Sequence, residues 1–216
     1  LALFHKKWSK TLATQCLNLA LMFSSHPQEV VGTVLNGFLV TRFLALQEDE
    51  LISQSKEILQ EAAEICVQTE REYQDRVNAF EDESLAKSKH AFSRTLEGLI
   101  PQLGKTEKEA LQWIVDNASV YTKREIRHPS QGFSLTLIPL ALHWILSREN
   151  EFLLASIFTQ GRETEKLGAL AGAWSGAIYG AQVIPENLKK GLVNSREIRL
   201  RGEALFQRRI KKDMKP

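Results

Sequence analysis

Gly161-Arg162-Glu163-Thr164-Glu165-Lys166-Leu167-Gly168-Ala169-Leu170-Ala171-Gly172-Ala173-Trp174-Ser175-Gly176-Ala177-Ile178-Tyr179-Gly180 is the stretch on which the reading of this chain turns. Gly168, Gly172, Gly176 and Gly180 recur every four residues in a segment without charge. Positions four apart drift only about 40° around an α-helix, so the spacing predicts a nearly straight ridge without side chains. Each glycine costs about 0.5–1 kcal/mol against alanine in a helix interior, a cost that close packing must offset. The expectation is therefore a central helix, buried on all sides, against which another helix packs closely. The charged turn in front of it, Gly161 to Lys166, is the first place to look for chemistry.

Outward from that helix the same period persists, and no run of alternating β-branched residues argues for a sheet. The fold class expected is all-α, one multi-helix domain spanning residues 1–216. A first helix is predicted from about Thr11 to Phe23, and Ser25-His26-Pro27 punctuates it, with Pro27 suited to the first turn of the next. That second helix carries Val30, Val34, Phe38 and Leu39. Further on, Leu59, Cys66, Tyr73 and Phe80 stand seven apart, with Ala63 and Val77 beside them. This narrow apolar stripe fits either a helix with one buried edge or a protruding hairpin used for association. Pro101 and Gly104 mark a break, and Thr106-Glu107-Lys108-Glu109 has capping-box spacing, so a helix starts there. His128-Pro129-Ser130-Gln131-Gly132 reads as a loop. Pro139 should end or kink the apolar helix from Phe133 to Leu146, and Ser147 to Asn150 form a polar boundary. Ile184-Pro185-Glu186 opens a short helix, and Ser195 can cap a basic terminal one.

The chain has 216 residues, 43% hydrophobic and 25% charged, enough for one sizeable core. With 28 basic and 26 acidic residues its net charge of +2 suits no nucleic-acid partner. The surplus is concentrated in residues 196–216, where eight basic residues face three acidic ones. Leu200, Leu205 and Phe206 leave room there for an amphipathic surface helix, although a solvated basic terminus is the commoner explanation. The uncharged run from Leu167 to Ile184 reaches the lower limit of a membrane span, but its small residues favour a buried helix over membrane insertion. Two cysteines, Cys16 and Cys66, give neither a disulfide framework nor a zinc knuckle. With no signal peptide evident, a cytoplasmic location is expected. Leu1 is not an initiator methionine, and a preceding segment is an open expectation.

Five scattered histidines (His5, His26, His90, His128, His143) form no motif, and Gly161 to Lys166 lacks the second glycine and the Ser/Thr of a phosphate loop. Glu163 and Glu165 would point about 160° apart on a continuous helix, so they converge on one ion only in a turn or a first helical turn. With Thr164 they would offer hard oxygen ligands suited to Mg²⁺ or Mn²⁺; equally, acidic residues stabilise a helix N-terminus through its dipole.

The run from Gly161 to Ala173, followed by Gly176, Tyr179-Gly180 and Ile184-Pro185, resembles the carboxy-terminal signature of the ADP-ribosylglycohydrolase family, roughly G-x-D-T-D-T/S-x-G-A-L/I-A-G-A, a glycine helix and an I-P turn. Gly132 with Pro139-Leu140-Ala141-Leu142 is similar to the family's G-x-x-M-R-x-x-P-L segment, with Leu135 at the methionine and Thr136 at the arginine. The similarity is clearest from about Gly132 to Leu205. It implies an all-α fold of that family's type, a pair of Mg²⁺ ions, and cleavage of ADP-ribose from a modified side chain or a related compound. It places Glu163, Thr164 and Glu165 at vestigial metal positions and Gly161, Gly132 and Ser134 at the ligand cleft.

The departures are chemical. Glu163 and Glu165 stand where the family has aspartate, and Lys166 stands where it has threonine or serine. Trp8-Ser9-Lys10-Thr11 is the nearest counterpart of the family's aromatic-T/S-D-D-T segment, and it lacks both aspartates. Lys10 and Lys166 would then replace the metal ions as counter-charges for Glu163 and Glu165, since uncompensated buried carboxylates are costly. The expectation is an impaired family member without a cofactor that binds a nucleotide-like ligand such as ADP-ribose, or a protein partner. The alternatives are an active Mg²⁺-dependent hydrolase, and a helical scaffold that acts through its basic tail or its seven-residue stripe. Homo-oligomerisation is left open.

Overall fold

Ser9 shows how this sequence starts its helices: its hydroxyl accepts the Leu12 N–H at 3.2 Å, satisfying a donor that no earlier turn can reach. The computed structural model describes residues 1–76, 89–147 and 153–213, and among them every regular element is helical. A single turn, α1 (Ala2–His5), precedes α2 (Lys10–Phe23) and α3 (Pro27–Leu44), with Pro27 in the first turn of α3 as expected. Next come α4 (Ser55–Arg76), α5 (Ala91–Leu99) and α6 (Glu107–Val120). Thr106 caps α6 with the full reciprocal box to Glu109. The second half holds α7 (Ser134–Ser147), α8 (Leu153–Gln160), α9 (Thr164–Tyr179), the short α10 (Glu186–Gly191) and α11 (Ser195–Asp213).

The helix buried on all sides is α7, not the glycine helix. Every residue from Leu135 to Leu146 is buried, and α7 packs against α3, α5, α6 and α9. Its side chains are large and uncharged all round, so each face gains from leaving water. Pro139 neither ends nor divides it. The proline removes one intrahelical hydrogen bond, and packing on all sides holds the remaining turns.

In α9 only Leu167, Ala171, Trp174 and Ser175 are buried. A Cβ built on Gly172 or Gly176 meets nothing within 4 Å among the described residues, and one on Gly168 meets only Ile157 Cγ2 at 3.7 Å. Gly180 lies beyond the ridge altogether, ending the helix with φ +73°. The close helix packing expected on the ridge is therefore absent here. Trp174, on the other face, carries the contact: it is fully buried, its indole N–H donates to Asn36 Oδ1 at 2.8 Å, and its ring lies 6.0 Å from that of Phe43.

On α4, Leu59, Ala63, Cys66 and Tyr73 are buried, which favours the reading of a helix with one buried edge; Val77 and Phe80 lie outside the described residues. On α11, Ile198 and Leu200 are about half exposed, and the side chains of Leu205 and Phe206 lie outside the described set. No helix among the described residues is long and apolar enough to cross a membrane. Cys16 and Cys66 are both free and buried.

Candidate functional site

Gly161 (φ +71°) and Arg162 (φ +60°) adopt left-handed backbone in succession, which turns the chain out of α8 and into α9. Glu163 sits at the N-cap of α9 with φ −81° and ψ 46°, outside the helix proper, while Thr164 and Glu165 occupy its first turn. The wide divergence of a continuous helix therefore does not apply to the two glutamates.

The dominant partner of Glu163 is Lys166. The ammonium Nζ lies 2.5 Å from Glu163 Oε2, three residues along the first turn. That hydrogen-bonded contact holds the Glu163 carboxyl below the usual carboxylate range and raises the Lys166 ammonium above its own. Both groups stay accessible: the Glu163 side chain is 36% exposed and that of Lys166 58%. These are not the buried carboxylates that the sequence suggested.

A second segment closes on this turn. Gly132, at φ +42°, lies so near Glu163 that a Cβ there would stand 3.0 Å from both Glu163 Cγ and Cδ. Ser130, fully buried, accepts the Glu163 N–H on its carbonyl at 3.3 Å, and its hydroxyl donates to the Gly161 carbonyl at 2.9 Å. The same serine meets His128 Nδ1, at 2.8 Å from Oγ and 3.2 Å from its own N–H. Burial and the nearby Arg162 charge push the His128 imidazole below its ordinary value. Ser134, half-buried, begins α7 just after this loop.

Gly132, Gly161, Glu163, Thr164, Glu165 and Lys166 thus belong to one neighbourhood at the mouth of α9. Lys10 does not join it electrostatically: it is exposed at the start of α2 and makes no ion pair with Glu163 or Glu165. Among the described residues Lys166 is the cation paired with Glu163. His128, Ser130 and Arg162 were missed as parts of the site. The signal for the first two was the His-x-Ser spacing, in which a histidine nitrogen can meet the amide two residues later.

The Lys166 ammonium occupies one oxygen of Glu163, Oε2, and among the described residues no group of three or more His, Cys, Asp or Glu is placed to hold a metal.

A sequence model described as ADP-ribosylglycohydrolase matches residues 1–214. No curated protein and no solved structure matches the chain. The match runs well beyond the segment from Gly132 to Leu205 and takes in α1 to α6 as well. With an all-α fold and the glycine-flanked turn at the head of α9, the chain belongs to the ADP-ribosylglycohydrolase family.

Proposed function

We propose that this chain is an ADP-ribosylglycohydrolase-like protein of impaired catalysis that binds a nucleotide-like ligand, with ADP-ribose as the first candidate, at the mouth of α9. The observation that carries this is the Glu163–Lys166 pair, a fixed ammonium where the family's chemistry calls for a cation. A divalent ion serves such hydrolysis by orienting hydroxyls and lowering the pKa of a bound water. An ammonium can orient an anion or a hydroxyl but has no open coordination position at which to generate hydroxide. Accessible Lys166 and Arg162, with the first-turn N–H groups of α9, instead suit the phosphates of a nucleotide. Both cysteines being free supports work in a reducing compartment such as the cytoplasm.

Calorimetric titration with Mg²⁺, Mn²⁺ and ADP-ribose, together with a release assay on an ADP-ribosylated peptide, tests this. The wild type should take up no divalent ion at millimolar concentration, release no ADP-ribose and bind free ADP-ribose. Lys166→Met should weaken that binding about tenfold, the loss of one charge-assisted contact. Metal uptake or metal-dependent release by the wild type would instead favour the active hydrolase, a reading that family membership and the two retained carboxylates keep in play.

A further inference from the structure

Between α10 and α11 the chain reverses through Leu192-Val193-Asn194-Ser195, where the Ser195 N–H donates to the Leu192 carbonyl at 3.2 Å. Asn194, at φ +62°, takes the left-handed position that such a turn requires and that asparagine tolerates. Turns ordinarily carry polar side chains. Here Leu192 is 52% exposed and Val193 79%. Lys190 precedes the two aliphatic residues and Arg196 and Arg199 follow them, all three exposed.

The charge of the whole chain is divided in the same sense. Residues 187–216 hold ten basic and three acidic residues, and residues 1–28 hold three basic and none acidic. Residues 29–186 hold fifteen basic against twenty-three acidic. Contact between α11 and α1 brings the two basic segments together. Leu3 of α1 is exposed, and so are Lys7 and Lys10 just beyond it. On α11, Ile198 and Leu200 are exposed as well, and the Arg199–Glu203 and Arg201–Glu197 pairs support its turns in solvent.

We propose that the turn from Leu192 to Ser195, with α11 and α1 beside it, docks this protein on an anionic lipid surface. Leu192 and Val193 enter the interface, while Lys190, Arg196 and Arg199 stay at the level of the lipid phosphates. Charge complementarity supplies the long-range attraction, about fivefold in affinity for each Lys or Arg brought to the surface. The acidic remainder of the chain turns the basic side towards the bilayer. The aliphatic pair decides between anionic partners. Nucleic acid is held by phosphate contacts and by stacking, to which Leu and Val contribute nothing. A bilayer takes exposed aliphatic side chains without a shaped pocket, and their burial adds to the electrostatic attraction.

The test is sedimentation of the full chain with vesicles of phosphatidylcholine alone and of phosphatidylcholine with about 30% phosphatidylserine. The protein should bind the anionic vesicles at least tenfold more tightly than the neutral ones, and binding should weaken at about 0.5 M salt as the charges are screened. Lys190→Gln with Arg196→Gln should lower the affinity about 25-fold, two steps of the fivefold factor. Leu192→Ser with Val193→Ser should lower it about tenfold at unchanged helicity, since both side chains are exposed. Val193→Trp should raise it, because an indole settles at the headgroup level. Equal binding to both vesicles, or binding to neither, overturns the proposal. So does binding that the Leu192→Ser, Val193→Ser variant retains in full; where RNA or polyglutamate also competes for it, the surface serves a soluble acidic partner instead.

Discussion

Gly132 and Gly161 are both glycines at positive φ, yet the structure gives them different work. Gly161 has open space around a would-be Cβ, whereas at Gly132 that atom would press on Glu163 at 3.0 Å. Gly161→Ala should therefore cost only the left-handed backbone strain, about 1–2 kcal/mol in a denaturant melt. Gly132→Ala should carry a similar strain and also displace the Glu163 carboxylate from Lys166. The extra readout is the Glu163 titration. Its carboxyl is held low by Lys166, so the pair contributes above the ordinary carboxylate range and is lost as pH falls through the depressed value. In Gly132→Ala that carboxyl should titrate closer to its usual range, and in Gly161→Ala it should not move. At this scale the sequence was legible where spacing is local: the turn from Gly161 to Lys166 and the likeness of its residues to a metal site. It was not legible where two loops meet. Nothing in the string tells which of Lys10 and Lys166 reaches Glu163, because one is three residues away and the other depends on the packing of α2.

The elements teach a different lesson, and α9 is the instructive one. A four-residue glycine period is ambiguous between a ridge that another helix uses and a face that nothing covers, since both leave the same letters. Large residues do not share that ambiguity. The unbroken apolar run of α7 had to be buried, and Thr106-x-x-Glu109 had to cap α6. On α9, Gly172 and Gly176 form one wall of an apolar groove of about 470 Å³ shared with α1, α2 and α3. With no atom within 4 Å of either built Cβ, alanine at these positions gains helix propensity and meets no clash. Gly172→Ala and Gly176→Ala should each stabilise the protein by about 0.5–1 kcal/mol in urea melts. Destabilisation by a similar amount would mean that the ridge is packed in solution after all.

Across the whole molecule the contacts that fix the arrangement join residues far apart in sequence, such as Trp174 with Asn36 and Tyr73 with the Ser25 carbonyl, and periodicity carries no information about such pairs. The hydrophobic pattern was enough for the all-α class because burial is written residue by residue; the pairing of helices is not. Glu70 shows how much rides on one such pairing. It lies on α4, is only 5% exposed, and takes both the His90 N–H at 2.9 Å and His90 Nδ1 at 2.7 Å, bridging to the start of α5. Burial raises its carboxyl above the usual range despite those contacts. A raised folded value means that the fold prefers the protonated acid, so stability is lost as pH rises through that value. Glu70→Gln keeps an acceptor for the His90 N–H without the buried charge. At pH 7 it should equal or exceed the wild type in urea melts, and its advantage should shrink towards pH 4. Glu70→Ala leaves the His90 N–H without its partner and should fall below the wild type by about 1–3 kcal/mol at both pH values. If Glu70→Gln instead falls as far as Glu70→Ala at pH 7, the ionised carboxylate is what binds α4 to α5, and burial is the lesser force at that joint.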